Sequence, residues 1–275
     1  MSIRKLKRLL ICIVVIVIAL IWFFPIFYMV ISSFKPEAQV VVPGIIFNPT
    51  LDNYREVFSD TFVECLRNSV LVTLLTVVIT TVLAVPASYA LVFVRLKNSD
   101  STYFWFVSTT FLPAISVITP VYLIFQRAQL IDTPLALVLL YSGSGVPLMV
   151  WLVTNYFREI PMDLVEAAEL DGCTKVQTFF HIMIPLIRNG LVSAMLLVFI
   201  TTWNEFFFAV TLTYSDSATL PVYMSKFMTQ QGYFWGKMSA AGTLICLIPI
   251  ILGFFKMCIR DRAYEEGKQL LHESG

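Results

Sequence analysis

The run LLICIVVIVIALIWFFPIFYMVISS, residues 9–33, decides the class of fold. It contains no charged side chain, and at about 1.5 Å per residue a helix of this length crosses the roughly 30 Å hydrocarbon core of a bilayer. Arg4, Lys5, Lys7 and Arg8 precede it, as basic residues precede the apolar stretch of a secretory signal. The run, of about 25 residues, is too long for such a stretch and offers no small-x-small cleavage site. It is read as an uncleaved first transmembrane helix. Five more apolar runs satisfy the same length requirement, at about 69–93, 103–125, 135–157, 187–212 and 239–257.

Composition agrees with that reading. The 275 residues are 58% hydrophobic and only 13% charged, with a mean hydropathy of +0.80. A soluble domain carries about 25% charged residues. Backbone groups in hydrocarbon must be bonded internally, so the spans are expected to be helices. A β-barrel would need short alternating segments, which this sequence lacks. The expected fold is therefore all-α and polytopic, with six transmembrane helices. The formal net charge of +1 gives no reason to expect nucleic acid as a partner.

Positive charge sets the orientation. With the N-terminus inside, the 19 Lys and Arg divide thirteen to six in favour of the inner segments. Cytoplasmic loops carry such an excess, so both termini are expected in the cytoplasm. The segment 158–186 then lies inside and the loop 34–67 outside. In the outer loop, Pro36, Pro43, Gly44, Asn48 and Pro49 suggest extended or turn structure. Asp52 or Asn53 could cap a short amphipathic helix carrying Tyr54, Val57 and Phe58. Pro86, Pro113, Pro120, Pro147 and Pro249 fall in or near spans and mark kinks.

Several chemistries find no support. The five cysteines, Cys12, Cys65, Cys173, Cys246 and Cys258, show no CxxC pair, and His181 and His272 stand alone. Neither a disulfide framework nor a zinc site is expected. No G-x-x-x-x-G-K-[ST] phosphate loop is present, so the chain has no such means to bind and hydrolyse ATP. Glu205 is the intramembrane acid, which by default suggests a function. Counted along a helix from Arg188, it stands about 25 Å up the fifth span, toward the outer face. With Asn204 beside it, Glu205 reads either as a polar lining or gate residue or as a snorkelling or helix-paired carboxylate near the outer face. Trp203, Tyr141, Tyr214 and Tyr122 could stack on a solute, or belong to an interfacial aromatic belt. Asp132 and Asp216 read as loop or cap residues.

The inner segment 158–186 is the longest hydrophilic break on its side. Asp163 is expected to cap a helix through Leu164, Val165, Ala168 and Glu169, which Gly172 ends. Thr174 is expected to cap a second helix over 175–184, with Val176, Phe179, Phe180 and Met183 on one face. Pro185 then stands in the first turn of the fifth span, where proline is tolerated. Such a pair of helices could rest on lipid headgroups or meet a protein. Asp163, Glu166, Glu169 and Asp171 outnumber Lys175, whereas lipid-surface helices favour Lys and Arg. A basic protein partner is favoured, with Glu166 facing its cations, Ala167, Ala168 and Gly172 allowing close approach, and Phe179 and Phe180 as apolar anchors.

Glu166-Ala167-Ala168, Gly172, Ile182 and Ile184-Pro185 stand at spacings that resemble the cytoplasmic loop of permease subunits in binding-protein-dependent ABC importers. Leu51-Asp52-Asn53-Tyr54, Asn68-Ser69, Ala87-Ser88-Tyr89-Ala90, Pro161, Trp203-Asn204-Glu205-Phe206, Thr219-Leu220-Pro221-Val222 and Trp235-Gly236 are similar to the sugar-type branch, typified by the second permease subunit of maltose-type transporters. The resemblance covers roughly residues 9–255. Ile184 stands where leucine is usual, Cys173 where alanine is commoner, and the tail 256–275 is unlike the short Gly-rich ending of the family.

The resemblance implies one permease domain over residues 1–275 in a bacterial plasma membrane. It implies a non-catalytic subunit importing a mono- or oligosaccharide or glycoside. Its partners would be a second, different permease subunit, two ATPase subunits that hold ATP and Mg, and an extracytoplasmic sugar-binding protein docking on loops 34–67 and 214–237. No cofactor would be bound by this chain. The docking residues it implies are Glu166, Ala167, Ala168, Asp171, Gly172, Phe179, Phe180 and Pro185; Trp203, Asn204 and Glu205 are candidates for the path. A polyamine, glycerol phosphate or peptide remains an alternative cargo. A membrane enzyme or proton-coupled carrier would call for paired acids or His clusters within the spans.

Overall fold

The computed structural model describes residues 3–42, 44, 46–94, 97–230 and 232–273, without the side chains of residues 3–6, 9 and 257–273. Pro43 and Arg95, the side chains of Arg4 and Lys5, and those of the tail beyond Lys256 lie outside the described residues. The protein is a helical membrane protein. Among the described residues, five helices are long and apolar enough to cross a bilayer, and a bent pair supplies a sixth span if its two halves count as one. The chain divides into two compact units, Met1–Val63 with Tyr223–Ile248, and Glu64–Val222 with Pro249–Gly275.

The first unit begins with α1, Ile3–Ser33, whose most apolar window is wholly exposed. Two short helices follow, α2 (Glu37–Val40) and α3 (Asp52–Val57). Neither Asp52 nor Asn53 caps α3; Leu51 holds the N-cap position. Asn53 is buried instead, and its Nδ2 donates to the carbonyls of Ser33 at 2.9 Å and Lys35 at 2.8 Å. It satisfies carbonyls at and just beyond the end of α1 that have no helical partner. Glu37 performs the complementary task at α13 (Trp235–Glu273), where both carboxylate oxygens accept from the Gly236 N–H at 3.2 and 3.1 Å. A carboxylate there also opposes the helix dipole favourably. A Cβ on Gly236 would lie 2.7 Å from Asn53 Nδ2 and 2.8 Å from Glu37 Oε2, so a side chain there would push these two groups out of their present positions.

Lys237 pairs with Glu56 and also lies over the Phe234 ring, 4.6 Å from its centroid. Lys35 is buried, its Nζ 5.2 Å from the Tyr28 ring centroid and 5.5 Å from that of Phe47. A two-stranded hairpin, β1 (Met228–Thr229) with β2 (Gly232–Tyr233), pairs Met228 with Tyr233. It follows α12, Leu220–Ser225, where Tyr223 donates its hydroxyl to the Val57 carbonyl at 2.8 Å.

In the second unit the spans depart from the sequence reading in three places. Helix α4 covers Asp60–Phe93 and so begins nine residues before the expected 69. The expected span 103–125 is two helices, α5 (Ser99–Thr109) and α6 (Ala114–Arg127), which meet at 90°. Pro113 sits at the break as the N-cap of α6, and a proline ring disfavours helical backbone in the residue before it. Helix α7, Pro134–Arg158, agrees with expectation, and its N-cap Thr133 accepts from the Ala136 N–H. The expected span 187–212 ends early: α10 covers Ile184–Trp203, the backbone breaks at Asn204–Phe206, and α11 (Phe207–Leu212) follows. Packing of α10 on α7 is tight at Gly190, where a Cβ would lie 2.7 Å from the Tyr156 ring. The last span lies within α13, at Trp235–Lys256, and the helical backbone runs on to Glu273.

Candidate functional site

Helix α8, Met162–Leu170, opens the segment that sequence analysis singled out. Its N-cap is Pro161 rather than Asp163, which lies in the first turn without capping. At the other end Gly172 adopts φ +83°, a conformation open to glycine at little cost. The Gly172 N–H donates to Glu169 O at 3.1 Å and the Cys173 N–H to Ala168 O at 3.0 Å, a paired arrangement that closes a helix C-terminus. Two residues later Thr174 caps α9, Lys175–Gln177, reciprocally: its hydroxyl accepts from the Gln177 N–H at 3.3 Å, and Gln177 Oε1 accepts from the Thr174 N–H at 2.8 Å.

The second helix does not stop at residue 184. It passes through a π-helical turn, Thr178–Met183, into α10, forming one rod from Lys175 to Trp203. Pro185 cannot donate to the His181 carbonyl and its ring would crowd that oxygen. The wider turn immediately upstream relieves that conflict. It also changes which residues share a face, so the expected common face of Val176, Phe179, Phe180 and Met183 is not formed. Met183 is fully buried while Val176 and Phe180 are 65% and 60% exposed.

Inward, Val165 and Ala168 are buried. Phe179 is half-buried, its ring 5.0 Å from that of Tyr89 on α4, and Tyr89 in turn lies 6.0 Å from Phe157 on α7. Outward, Asp163, Glu166, Ala167, Glu169, Asp171 and Gly172 are exposed, and Leu170 is 88% exposed. Pro185 is exposed at the start of α10. Acidic side chains therefore surround uncovered apolar ones.

A second site lies where the two span breaks come together. A cavity of about 620 Å³ is bounded by the α5–α6 break, α7 and the α10–α11 break. That volume is in the range of small-molecule sites. Irregular backbone at membrane depth is tolerated where it is buried in protein or lines a cavity. Glu205 stands at the second break. Its Oε2 accepts from the Tyr141 hydroxyl at 2.7 Å and from the Ala209 N–H at 3.2 Å, and its Oε1 from the Phe208 N–H at 3.0 Å. The carboxylate thus caps α11 while facing the cavity. Asn204 is exposed and its Nδ2 donates back to Ile200 O at 2.9 Å. Trp203 is buried and stacked on Phe199, and neither Trp203 nor Asn204 lines the cavity. Thr109, Ser144, Thr201 and Phe208 do line it, and sequence analysis did not select them. Pro113 was a signal for the first break; nothing local signalled the second.

Beyond α11 the chain is held by Asp132, itself at φ +58°. Its carboxylate accepts from the backbone N–H groups of Tyr214, Ser215, Asp216 and Ser217, at 3.0 to 3.2 Å. Burial alone would raise this carboxyl, but the four N–H donors outweigh it and hold the pKa down at about 2. On α4, Asn68 donates to Asp216 O and Ala218 O, and Ser69 Oγ accepts from the Leu220 N–H at 2.8 Å. Asp132 acts as a clasp for the 214–217 loop. Among the described residues no cluster of three or more His, Cys, Asp or Glu is arranged to hold a metal ion.

Spans broken around a cavity and a surface-exposed segment between spans define a multi-pass membrane transport component. The family described as "Binding-protein-dependent transport system inner membrane component" matches residues 61–262, and the chain belongs to that family. It is similar to the trehalose transport system permease protein SugB of Mycobacterium tuberculosis, 35% identical over 235 residues, covering 83% of this chain and 85% of the relative. It is also similar to the trehalose/maltose transport system permease protein MalG of Thermococcus litoralis, 32% identical over 253 residues, covering 90% and 91%. A solved bacterial ABC transporter involved in the import of the acidic polysaccharide alginate shares the fold, with TM-score 0.76 over 92% of this chain and 96% of that one, at 22% identity.

Proposed function

We propose that this chain is a non-catalytic permease subunit of an ABC importer that carries a carbohydrate into the cytoplasm, and that residues 1–275 act as one permease domain. ATP, with its Mg, is bound and hydrolysed on two separate ATPase subunits. A second permease subunit completes the pathway and an extracytoplasmic sugar-binding protein delivers the cargo. The membrane is the bacterial plasma membrane, with both termini cytoplasmic, as the distribution of Lys and Arg favours.

The exposed segment Asp163–Phe180 carries this reading. It gives an ATPase an acidic rim at Glu166 and Asp171 and uncovered apolar anchors at Leu170 and Phe180, on a backbone fixed by Gly172 and Thr174. Ala167 keeps its surface low, Ala168, expected on that surface, packs inward instead, Phe179 ties the segment inward, and Pro185 marks where it enters the span. The relatives' trehalose and maltose support carbohydrate as cargo. Among the path candidates Glu205 faces the cavity; Asn204 and Trp203 hold the backbone on which it stands.

The test is co-purification of the chain with the ATPase encoded beside it, then uptake in proteoliposomes across a panel of sugars, a polyamine, glycerol phosphate and a peptide. Glu166→Lys is expected to lose the ATPase and uptake together. An intact complex with undiminished uptake would exclude the docking role, and uptake of no carbohydrate would exclude the cargo.

A further inference from the structure

The cavity wall is strongly biased in its hydrogen-bonding character. None of its lining side chains is Lys, Arg, His, Asn or Gln. Three of its hydroxyls direct their protons to backbone carbonyls: Thr109 to Phe106 O at 2.7 Å, Ser144 to Tyr141 O at 3.1 Å and Thr201 to Val198 O at 3.0 Å. Each hydroxyl oxygen keeps lone pairs able to accept. Tyr141 spends its proton on Glu205. What these side chains offer a solute is therefore mainly a set of acceptors and one carboxylate. The start of α6 at Ala114 also lies on the wall, and first-turn N–H groups have no partner within a helix. Phe125 and Phe208 supply ring surface for an apolar sugar face.

Resting on the carbohydrate reading above, we infer that this cavity selects uncharged, hydroxyl-rich solutes and rejects anionic ones such as uronic acids and sugar phosphates. A neutral sugar brings many O–H donors to these acceptors and meets the few N–H groups with its own oxygens. An anionic solute meets the Glu205 carboxylate without a cation on the wall to offset it. Two like charges several ångströms apart in a partly buried site repel strongly enough to weaken binding by about tenfold or more.

The experiment uses the assembled permease complex without its binding protein, so that the permease's own choice is read. Equilibrium binding of trehalose, maltose, glucuronic acid and glucose 6-phosphate is measured by ligand-observed NMR. At least one neutral sugar is expected to bind about tenfold or more above both anions. Glu205→Gln keeps an acceptor for the α11 cap and should remove most of that discrimination. Gly143→Lys tests the same point independently. Gly143 lines the cavity, its Cβ position has nothing within 4 Å, and an added cation there should admit glucuronic acid. Equal binding of neutral and anionic sugars, or discrimination unchanged in both variants, overturns the inference and leaves the carbohydrate reading standing. Binding of no sugar of either kind overturns this site assignment, while uptake of sugar in proteoliposomes separately decides the cargo.

Discussion

The hydroxyl of Tyr141 reaches Oε2 of Glu205 at 2.7 Å, so a residue of α7 holds the break that ends α10. A hydrogen bond to a charged group is worth about 1.5–3 kcal/mol. Tyr141→Phe should destabilise the purified protein by about that amount, read as an earlier midpoint in denaturant unfolding. Glu205→Ala should cost more, because it also uncaps α11. Equal midpoints for wild type and Tyr141→Phe would show that the bond holds nothing.

The Gly236 contact predicts an effect out of proportion to the size of the change. Gly236→Ala places a methyl group 2.7 Å from Asn53 Nδ2, and the α13 cap and the α1 carbonyl cap cannot both remain in place. A loss of about 1–3 kcal/mol is expected, the usual cost of forcing atoms into a packed site. Hydrogen exchange should speed up in residues 34–57 and at the start of α13.

Gly172 presents the opposite case, since a Cβ there would meet nothing within 4 Å. Only the backbone opposes a side chain, at about 1–2 kcal/mol for a left-handed residue. Gly172→Ala should leave the unfolding midpoint of the spans unchanged. It should weaken ATPase co-purification measurably, and Gly172→Asn should do so less, because asparagine tolerates this conformation.

The Asp132 clasp predicts a pH response with a definite sign. The folded pKa is lowered to about 2, from an ordinary value of 3.8. A depressed carboxyl stabilises the fold fully above its unfolded pKa and loses that contribution as pH falls through the folded value. Protection of the Tyr214–Ser217 amides should therefore hold down to about pH 4 and fail between there and about pH 2. In Asp132→Ala those amides should exchange quickly at neutral pH.

Apolar run length made five of the spans legible, because hydrocarbon thickness dictates it. Gly172 and Thr174 were legible because their roles depend on neighbours within a few residues. The first break was legible only as a kink at Pro113, and the one at Asn204–Phe206 was not legible at all. Hydropathy is the same on both sides of each, and what stabilises the second is Tyr141, 64 positions away from Glu205. Asp132 reads only as a loop residue until 214–217 is folded over it. Asn53 looked like a helix cap, since Asn beside a short helix usually is one; its burial beneath α1 is a tertiary fact. The cavity was hidden for the same reason, its wall being assembled from α5, α6, α7, α10 and α11.

The π turn at Thr178–Met183 fixes the screw register of the rod that runs from the exposed segment to the cavity. Each residue of an α-helix advances the azimuth by about 100°. Removing one residue from this turn would swing Val176 and Phe180 around the axis while leaving Thr201 and Glu205 where they are. The two ends of the rod thus have an angular phase set by a single surplus residue. A change in the length of the rod must therefore be compensated within this turn if the two ends are to keep their relative angle.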